Sequence, residues 1–515
     1  MAFVPNLGIA FQEIALRHAR RTALLYPATG ECISYSELAQ LADRIACTLW
    51  ALGMRPGQVV AMFHDKSPAA FAAMLACLRL GVVYTNLDPD SPWQRISKIL
   101  GTCQPRLIIN AFQELPCAEL AATGNAPILN LRTMPETPEE LALPAVSAIA
   151  AGSPAYIMFT SGSTGMPKGA VMSHANLLGF IAWAGERFSI TPDDVLTNVN
   201  PIYFDNSVFD FYTAIFSGAA LVPITAEQLC DTRQLVRLID RAGCTLWFSV
   251  PSLLVYLLTT RALGAANFPA MRKIVFGGEG FPKTKLRQLY DLFGARVELE
   301  NVYGPTECTC ICSAHTIGPA DFDDMQNLAP LGRLTPNFDY EILPLDPAEP
   351  EFGELFLRGP QVGLGYYNDP ERTTKAFTQN PHHEHYTDIG YRTGDLVRRD
   401  ARGWLHFKGR SDFQIKHMGY RIELQEIEAA FGSLPDVREC AVIYQKLGGG
   451  LGQILAFAAM SDPVAPEELA RRIAAIVPPY MVPRRVLLLD SLQKNANGKI
   501  DRVALQEIAA SLGSI

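Results

Sequence analysis

MFTSGSTGMPKGAVMSH, residues 158–174, is the stretch on which the reading of this chain turns. An apolar run ends in Ser, Thr and Gly residues, followed by Pro167, Lys168 and Gly169. With PAYI before it (154–157), the segment reads as a strand running into a glycine-rich loop. Glycine lets backbone N–H groups approach an anion closely, and Ser and Thr hydroxyls add donors, so phosphate is the natural occupant. The familiar nucleotide loop needs lysine directly after glycine, with a hydroxyl next to bind magnesium. Here Lys168 follows proline and precedes glycine, so this loop is of another kind. A flexible Gly/Ser linker is the bland alternative.

Working outward, short apolar segments alternate with longer helical patterns. QVVAMFHD (58–65), PRLIIN (105–110), TLWFSV (245–250) and KIVFGGEG (273–280) read as strands, and SPAAFAAMLACLRLG (67–81) as an apolar helix. Such alternation predicts an α/β fold with doubly wound, mostly parallel sheet and helices on both faces. Ligands then bind at the carboxyl ends of strands, where TSGSTG, FDNS, GGEG and YGPTE fall. Beyond about residue 340 the texture becomes turn-rich and alternating, as in antiparallel sheet, with GELFLRGP (353–360), YRTGDLVRRD (391–400) and GWLHFKGRSD (403–412). From Asp412 onward a hairpin-like stretch, a helix, two strands and two further helical patterns make a small α+β domain. We therefore expect a large domain over 1–409 and a small one over 410–515.

The chain has 515 residues, 49% hydrophobic and 19% charged, enough for a large core and for more than one domain. A net charge of −8 gives no basic footprint for nucleic acid. No apolar run approaches the ~20 residues of a membrane span, and Pro5, Asn6, Gln12 and Glu13 spoil the N-terminus as a signal peptide. These features predict a soluble, cytoplasmic protein. The eleven cysteines suggest no disulfide framework. Cys308, Cys310 and Cys312 alternate, so in a strand they would share one face and line a wall. The HHEH run (382–385) reads as a surface loop rather than a metal site.

TSGSTGMPKG, FDNSV, NVYGPTE, YRTGDL, GRSDFQIKHMGYRIEL and NANGKID occur in that order. They resemble the successive core motifs of amino-acid-activating adenylation domains of non-ribosomal peptide synthetases. Those domains belong to the wider group of acyl-CoA synthetases, adenylation enzymes and luciferases. The resemblance covers nearly the whole chain and implies ATP and Mg²⁺ as cofactors. In the implied chemistry a carboxylate attacks the α-phosphate of ATP and expels pyrophosphate, so the site must neutralise two anions and align them.

Carried over residue by residue, the resemblance implies that Thr160, Ser161, Gly162, Ser163, Thr164 and Gly165 wrap the β- and γ-phosphates. Lys168 supports that loop. Gly278, Glu279 and Gly304 join the nucleotide contacts, Asn301 reads the adenine edge, and Tyr303 stacks on the ring. Thr306 contacts the α-phosphate and Glu307 binds Mg²⁺. Asp395 accepts from the ribose hydroxyls, with Arg410 as a second contact. Lys499, on the Asn497-Gly498 turn, bridges substrate carboxylate and phosphate, and losing such a charge costs roughly 10² to 10³ in rate. Asp412 corresponds to a hinge about which the small domain rotates to let a thiol in. His417-Met418 departs from the family's usual Ile-Arg type pair.

For the amino acid, the resemblance implies Asp205 as partner of the substrate ammonium; a structural or helix-capping aspartate is the alternative. The remaining pocket positions are Asn206, Phe209, Phe248, Val275, Gly277, Val302, Cys310 and Ile311, with Lys499. Two phenylalanines narrow this pocket, Gly277 opens one side, and Asp205 and Lys499 are its only charges. A small or medium neutral amino acid is expected, L-, D- or β-, since FDNSVFDFY and GGEGFPK also resemble D-alanine–carrier-protein ligases. Little chain follows Lys499, so the expected partner is a separate carrier protein with a phosphopantetheine arm. Two competing readings are an acyl- or aryl-CoA ligase sharing the adenylate intermediate and a non-catalytic adenylate-binding protein. Asp205 argues against the first, and Glu307, Asp395 and Lys499 against the second.

Overall fold

The computed structural model describes residues 5–123, 126–134, 143–162, 164–447, 452–494 and 500–511. Ser163 and Lys499 lie outside these residues.

Among the described residues, two α/β sheets make up most of the large part. A six-stranded sheet contains Val59–Phe63, Val83–Leu87 and Leu107–Asn110 as parallel neighbours, closed by the antiparallel hairpin Pro154–Thr160 and Lys168–Ser173. A nine-stranded sheet runs parallel through its centre, where Leu246–Ser249, Lys273–Gly277 and Glu298–Tyr303 pair in order. Its edges, Glu31–Ser34 at one end and Ser313–Thr316 with Arg333–Leu334 at the other, are antiparallel.

Every residue of Val59–Phe63 and Val83–Leu87 is buried, as expected of strands covered on both faces. Helix Pro68–Leu80 is buried on nearly all sides. Ser67 caps its start, Pro68 opens it, and Gly81 ends it at φ +67°. Its side chains share one core with Val60, Met62 and Tyr84 of the first sheet and with Leu221, Val275 and Val302 of the second. A helix apolar all round is what a layer between two sheets requires.

A five-stranded antiparallel sheet follows, built on Phe352–Arg358, Ile389–Arg399 and Leu405–Arg410. Beyond it the hairpin Gln414–His417/Tyr420–Glu423 leads into helix Leu424–Gly432 and a three-stranded sheet. The cores of this last region contain no residue before Ile415.

The cysteine run is not a strand. Thr306–Cys308 forms a 3₁₀ turn, and Thr309 and Cys310 both take positive φ, 59° and 72°. Two left-handed residues break the alternation on which a shared face depends, and sheet begins only at Ser313. All three cysteines are buried, but only Cys310 of the three lines the central cavity. In the His382–His385 loop, His382 meets Glu341 and His383 meets Asp388, at 2.5 and 3.2 Å.

Candidate active site

The glycine-rich stretch is the loop of a β-hairpin, with Thr160 paired to Lys168 across its neck. Gly162 cannot be another residue without rearrangement, because a Cβ there would sit 2.1 Å from the Met166 carbonyl oxygen. Beside this loop, the carboxyl ends of the central strands and the hairpin 414–423 enclose a cavity. Asp205, Asn206, Phe248, Gly278, Val302, Gly304, Thr306, Cys310, Ile311, Asp395 and Arg410 all line it. A second, more apolar slot shares Gly278, Val302 and Lys416 and adds Glu279, Asn301, Tyr303, Leu331 and Phe407. Many of the sequence-predicted residues thus line two adjoining spaces, while the glycine-rich loop, Lys168 and Glu307 line neither.

Asp205 precedes the short helix Asn206–Val208 and makes no capping bond, which removes the capping alternative. Its Oδ2 accepts from Thr306 Oγ1 at 2.7 Å. Burial draws its carboxyl upward in pKa, against the opposing Thr306 bond and the Arg421 charge. No cation among the described residues forms an ion pair with it.

Three expected pocket residues lie behind the surface rather than on it. Phe209, 1% exposed, backs Phe248 with ring centroids 5.0 Å apart, and Val275 is fully buried in its strand. Gly277 does not open the pocket. A Cβ at that position would meet the Val302 carbonyl oxygen at 2.5 Å, so close strand packing demands the glycine.

Asp395 is held from two sides, accepting from Tyr303 Oη on Oδ2 and from Arg410 Nη1 on Oδ1, both at 2.5 Å. Arg410 also forks onto Asp412, Nε to Oδ1 at 2.6 Å and Nη2 to Oδ2 at 2.7 Å. Asn301 donates through Nδ2 to the Pro330 carbonyl at 2.8 Å, which fixes its amide in the apolar slot. Glu279 accepts from the backbone N–H of Ser252 at 2.7 Å and of Gly419 at 3.0 Å, so it ties the hairpin tip to the site.

The hairpin adds charge that the motif reading left out of the cavity. Gln414, Lys416, Gly419 and Arg421 line it, so Asp205 is accompanied by Asp395, Arg410, Lys416 and Arg421. Lys416 Nζ sits 5.5 Å from the Tyr303 ring centroid. Arg421 Nη1 donates to Glu307 Oε2 at 2.7 Å, while Tyr366 Oη donates to Glu307 Oε1 at 2.7 Å. Lys168 Nζ lies 3.8 Å from both Glu307 and Glu423. Glu307 is fully buried, yet against the upward pull of burial Arg421 and Lys168 hold its carboxyl far below the usual range. Burial lowers the Lys168 ammonium to about 8.

The glycine loop is engaged from the same side. Ser161 Oγ donates to the Arg421 carbonyl at 2.7 Å and accepts from Glu423 N–H at 3.1 Å. Gly162 N–H donates to Glu426 Oε2 at 3.1 Å, and Arg95 pairs with the other oxygen of Glu426. A carboxylate therefore occupies the Gly162 N–H that the resemblance assigns to phosphate, and a guanidinium the Glu307 carboxylate that it assigns to magnesium. Lys494 and Ile500, which flank NANGK, form a β-bridge, and Ile500 packs against the small-domain core.

Comparison with known proteins agrees with this geometry. The model of AMP-binding enzymes matches residues 11–367, and that of the AMP-binding enzyme C-terminal domain matches 426–499. An L-proline–[L-prolyl-carrier protein] ligase of Pseudomonas fluorescens is 34% identical over 95% of this chain and 96% of its own length. A D-alanine–D-alanyl carrier protein ligase of Lacticaseibacillus rhamnosus is 28% identical over 98% of this chain and 99% of its own. A solved holo NRPS protein containing adenylation and PCP domains, bound to a vinylsulfonamide inhibitor, superposes with a TM-score of 0.84 at 26% identity. That match covers 97% of this chain and 84% of the other. The chain belongs to the AMP-binding enzyme family and is an ATP-dependent ligase.

Proposed function

We propose that this member of the AMP-binding enzyme family activates a small or medium neutral amino acid as its aminoacyl-adenylate and passes the acyl group to a carrier-protein thiol. The observation that carries the reading is Asp205, an aspartate at the cavity wall with one hydrogen bond and no ion-pair partner among the described residues. A substrate ammonium is the counter-ion such a group lacks. The apolar remainder, Phe248, Val302, Cys310 and Ile311, suits an uncharged side chain of limited size. The names of the two curated relatives, a prolyl and a D-alanyl carrier ligase, support an amino acid substrate and a carrier acceptor while leaving chirality open.

In this reading Asp205 orients the amino acid, the loop from Thr160 to Gly165 receives the leaving pyrophosphate, and Thr306 faces the α-phosphate. Asn301 and Tyr303 bracket the adenine slot, and Asp395 with Arg410 meets the ribose. Lys499 supplies the remaining positive charge, and Asp412 serves as hinge between 1–409 and 410–515. Magnesium would add charge neutralisation between phosphate oxygens. Its donor chemistry fits Glu307, one hard carboxylate beside the phosphate loop, provided that Arg421 withdraws. Adenylation would thus proceed with the hairpin away from the site, and thiol transfer with it returned. We place this activity in the cytoplasm.

The test is acceptor choice. Incubated with ATP, magnesium and a neutral amino acid, the enzyme should raise the intact mass of a holo carrier protein by one aminoacyl group. It should leave coenzyme A unmodified. Acylation of coenzyme A by fatty or benzoic acids, with the carrier untouched, would instead identify an acyl-CoA ligase.

A further inference from the structure

Behind the cavity wall runs a buried polar chain that the reaction itself does not use. Phe209–Thr213 is a π-helical turn, and all five of its residues are buried. Such turns concentrate near functional sites because the extra residue redirects side chains. Here it turns Asp210 inward, fully buried. Asp210 Oδ2 accepts from Asn198 Nδ2 and from Asn200 Nδ2, both at 3.0 Å. The second hydrogen of the Asn200 amide goes to the Phe248 carbonyl, also at 3.0 Å. Phe248 is the aromatic wall of the cavity, and Phe209, the neighbour of Asp210, packs edge-on against it. Asp210 Oδ1 has no partner. At the other end, Lys66 Nζ donates to the Asn198 carbonyl and the Ile224 carbonyl, each at 2.8 Å.

We infer that Asn200 and Asp210 are positioning residues for substrate selection, fixing through the Phe248 backbone and the Phe209 ring the wall that limits the amino acid side chain. Two aromatic rings in van der Waals contact could slide along each other at little cost. One amide bonded to both the strand end carrying Phe248 and the turn carrying Phe209 prevents that. A displacement of the wall by a fraction of an ångström changes which side chain fits while leaving the nucleotide groups in place. Burial raises the Asp210 carboxyl, and the Lys66 charge opposes that rise without forming an ion pair with it among the described residues.

The inference rests on the proposed amino acid pocket, and the two are tested apart. Whether the wild-type protein performs ATP–pyrophosphate exchange with any amino acid decides the pocket. The variants are then compared on the amino acid it accepts and on the homologue one methylene longer. Asn200→Ala should raise the amino acid KM about tenfold and narrow discrimination between the two acids, with the KM of ATP within about twofold. Asp210→Ala should do the same, and the double variant should be no worse than either single one, because both act through one linkage. Asp210→Asn keeps an acceptor oxygen and should recover most of the loss. Asn200→Ser, a smaller change, carries the same expectation in sign should Asn200→Ala not fold. Lowered melting temperatures with KM and discrimination unchanged would reduce the chain to a structural brace and overturn the inference. Additive penalties in the double variant would overturn it as well.

Discussion

Replacing Arg421 by methionine keeps the length and packing of the side chain but removes the cation facing Glu307. The pair joins a fully buried carboxylate to a guanidinium whose side chain is 15% exposed. Breaking such a pair costs about 3–5 kcal/mol. Glu307 retains the Tyr366 hydroxyl at 2.7 Å and Lys168 at 3.8 Å, so the lower end of that range applies. About 3 kcal/mol corresponds to roughly a hundredfold shift in the population of the docked hairpin. Two amides report on docking directly, Gly419 N–H on Glu279 and Glu423 N–H on Ser161. Hydrogen–deuterium exchange should show both losing roughly two decades of protection in the variant, with the strands Val437–Lys446 and Gly452–Met460 unchanged. ATP with magnesium should loosen the same two amides in the unsubstituted protein, because in the proposed reading phosphate competes with Glu426 for Gly162 N–H. Protection unaltered by both perturbations would refute the competition, and loss spread evenly through the small-domain strands would mean general destabilisation instead.

Other outcomes follow from single residues. Gly162→Ala forces a Cβ to 2.1 Å from the Met166 carbonyl, so the loop must shift; the KM of ATP should rise at least about tenfold in pyrophosphate exchange. Phe248→Leu opens the wall of the cavity and should move preference toward a longer side chain, read as altered ratios of kcat/KM across an amino acid series. The pH dependence of the amino acid KM should carry the signature of Asp205. Burial raises its carboxyl, so it remains protonated to higher pH than an exposed aspartate. The ionised form is the one that holds an ammonium, so KM should climb as pH falls through the raised value. In Asp205→Asn that limb should vanish.

Much of this was legible in the residues. Strand–helix alternation foretold the layered sheets, because buried parallel strands and the helices between them announce themselves as apolar runs. The motif order brought Asp205, Thr306, Asp395 and Arg410 to one cavity although they are far apart in sequence. What stayed hidden depends on tertiary geometry. Glu307 and Arg421 are 114 residues apart, and a carboxylate expected to wait for a metal gives no local sign of an internal cation. The cysteine alternation misled because left-handed Thr309 and Cys310 have no signature in composition. In sequence Gly277 reads as open space, whereas its neighbour strand leaves none. The polar chain behind Phe248 was invisible for a similar reason. Asn198 ends a strand, Asn200 follows it, and Asp210 looks like a helix residue until a π-helical turn faces it inward and all three are buried together.

The central claim, that Asp205 receives a substrate ammonium, is tested most directly by ATP–pyrophosphate exchange with a neutral amino acid and with its analogue lacking the amino group. Both are measured in the unsubstituted enzyme and in Asp205→Asn. The account predicts exchange with the amino acid alone, falling about tenfold to a hundredfold in kcat/KM in the variant, the worth of one charge-assisted hydrogen bond. Exchange supported equally by the analogue, and indifferent to Asp205→Asn, would contradict it.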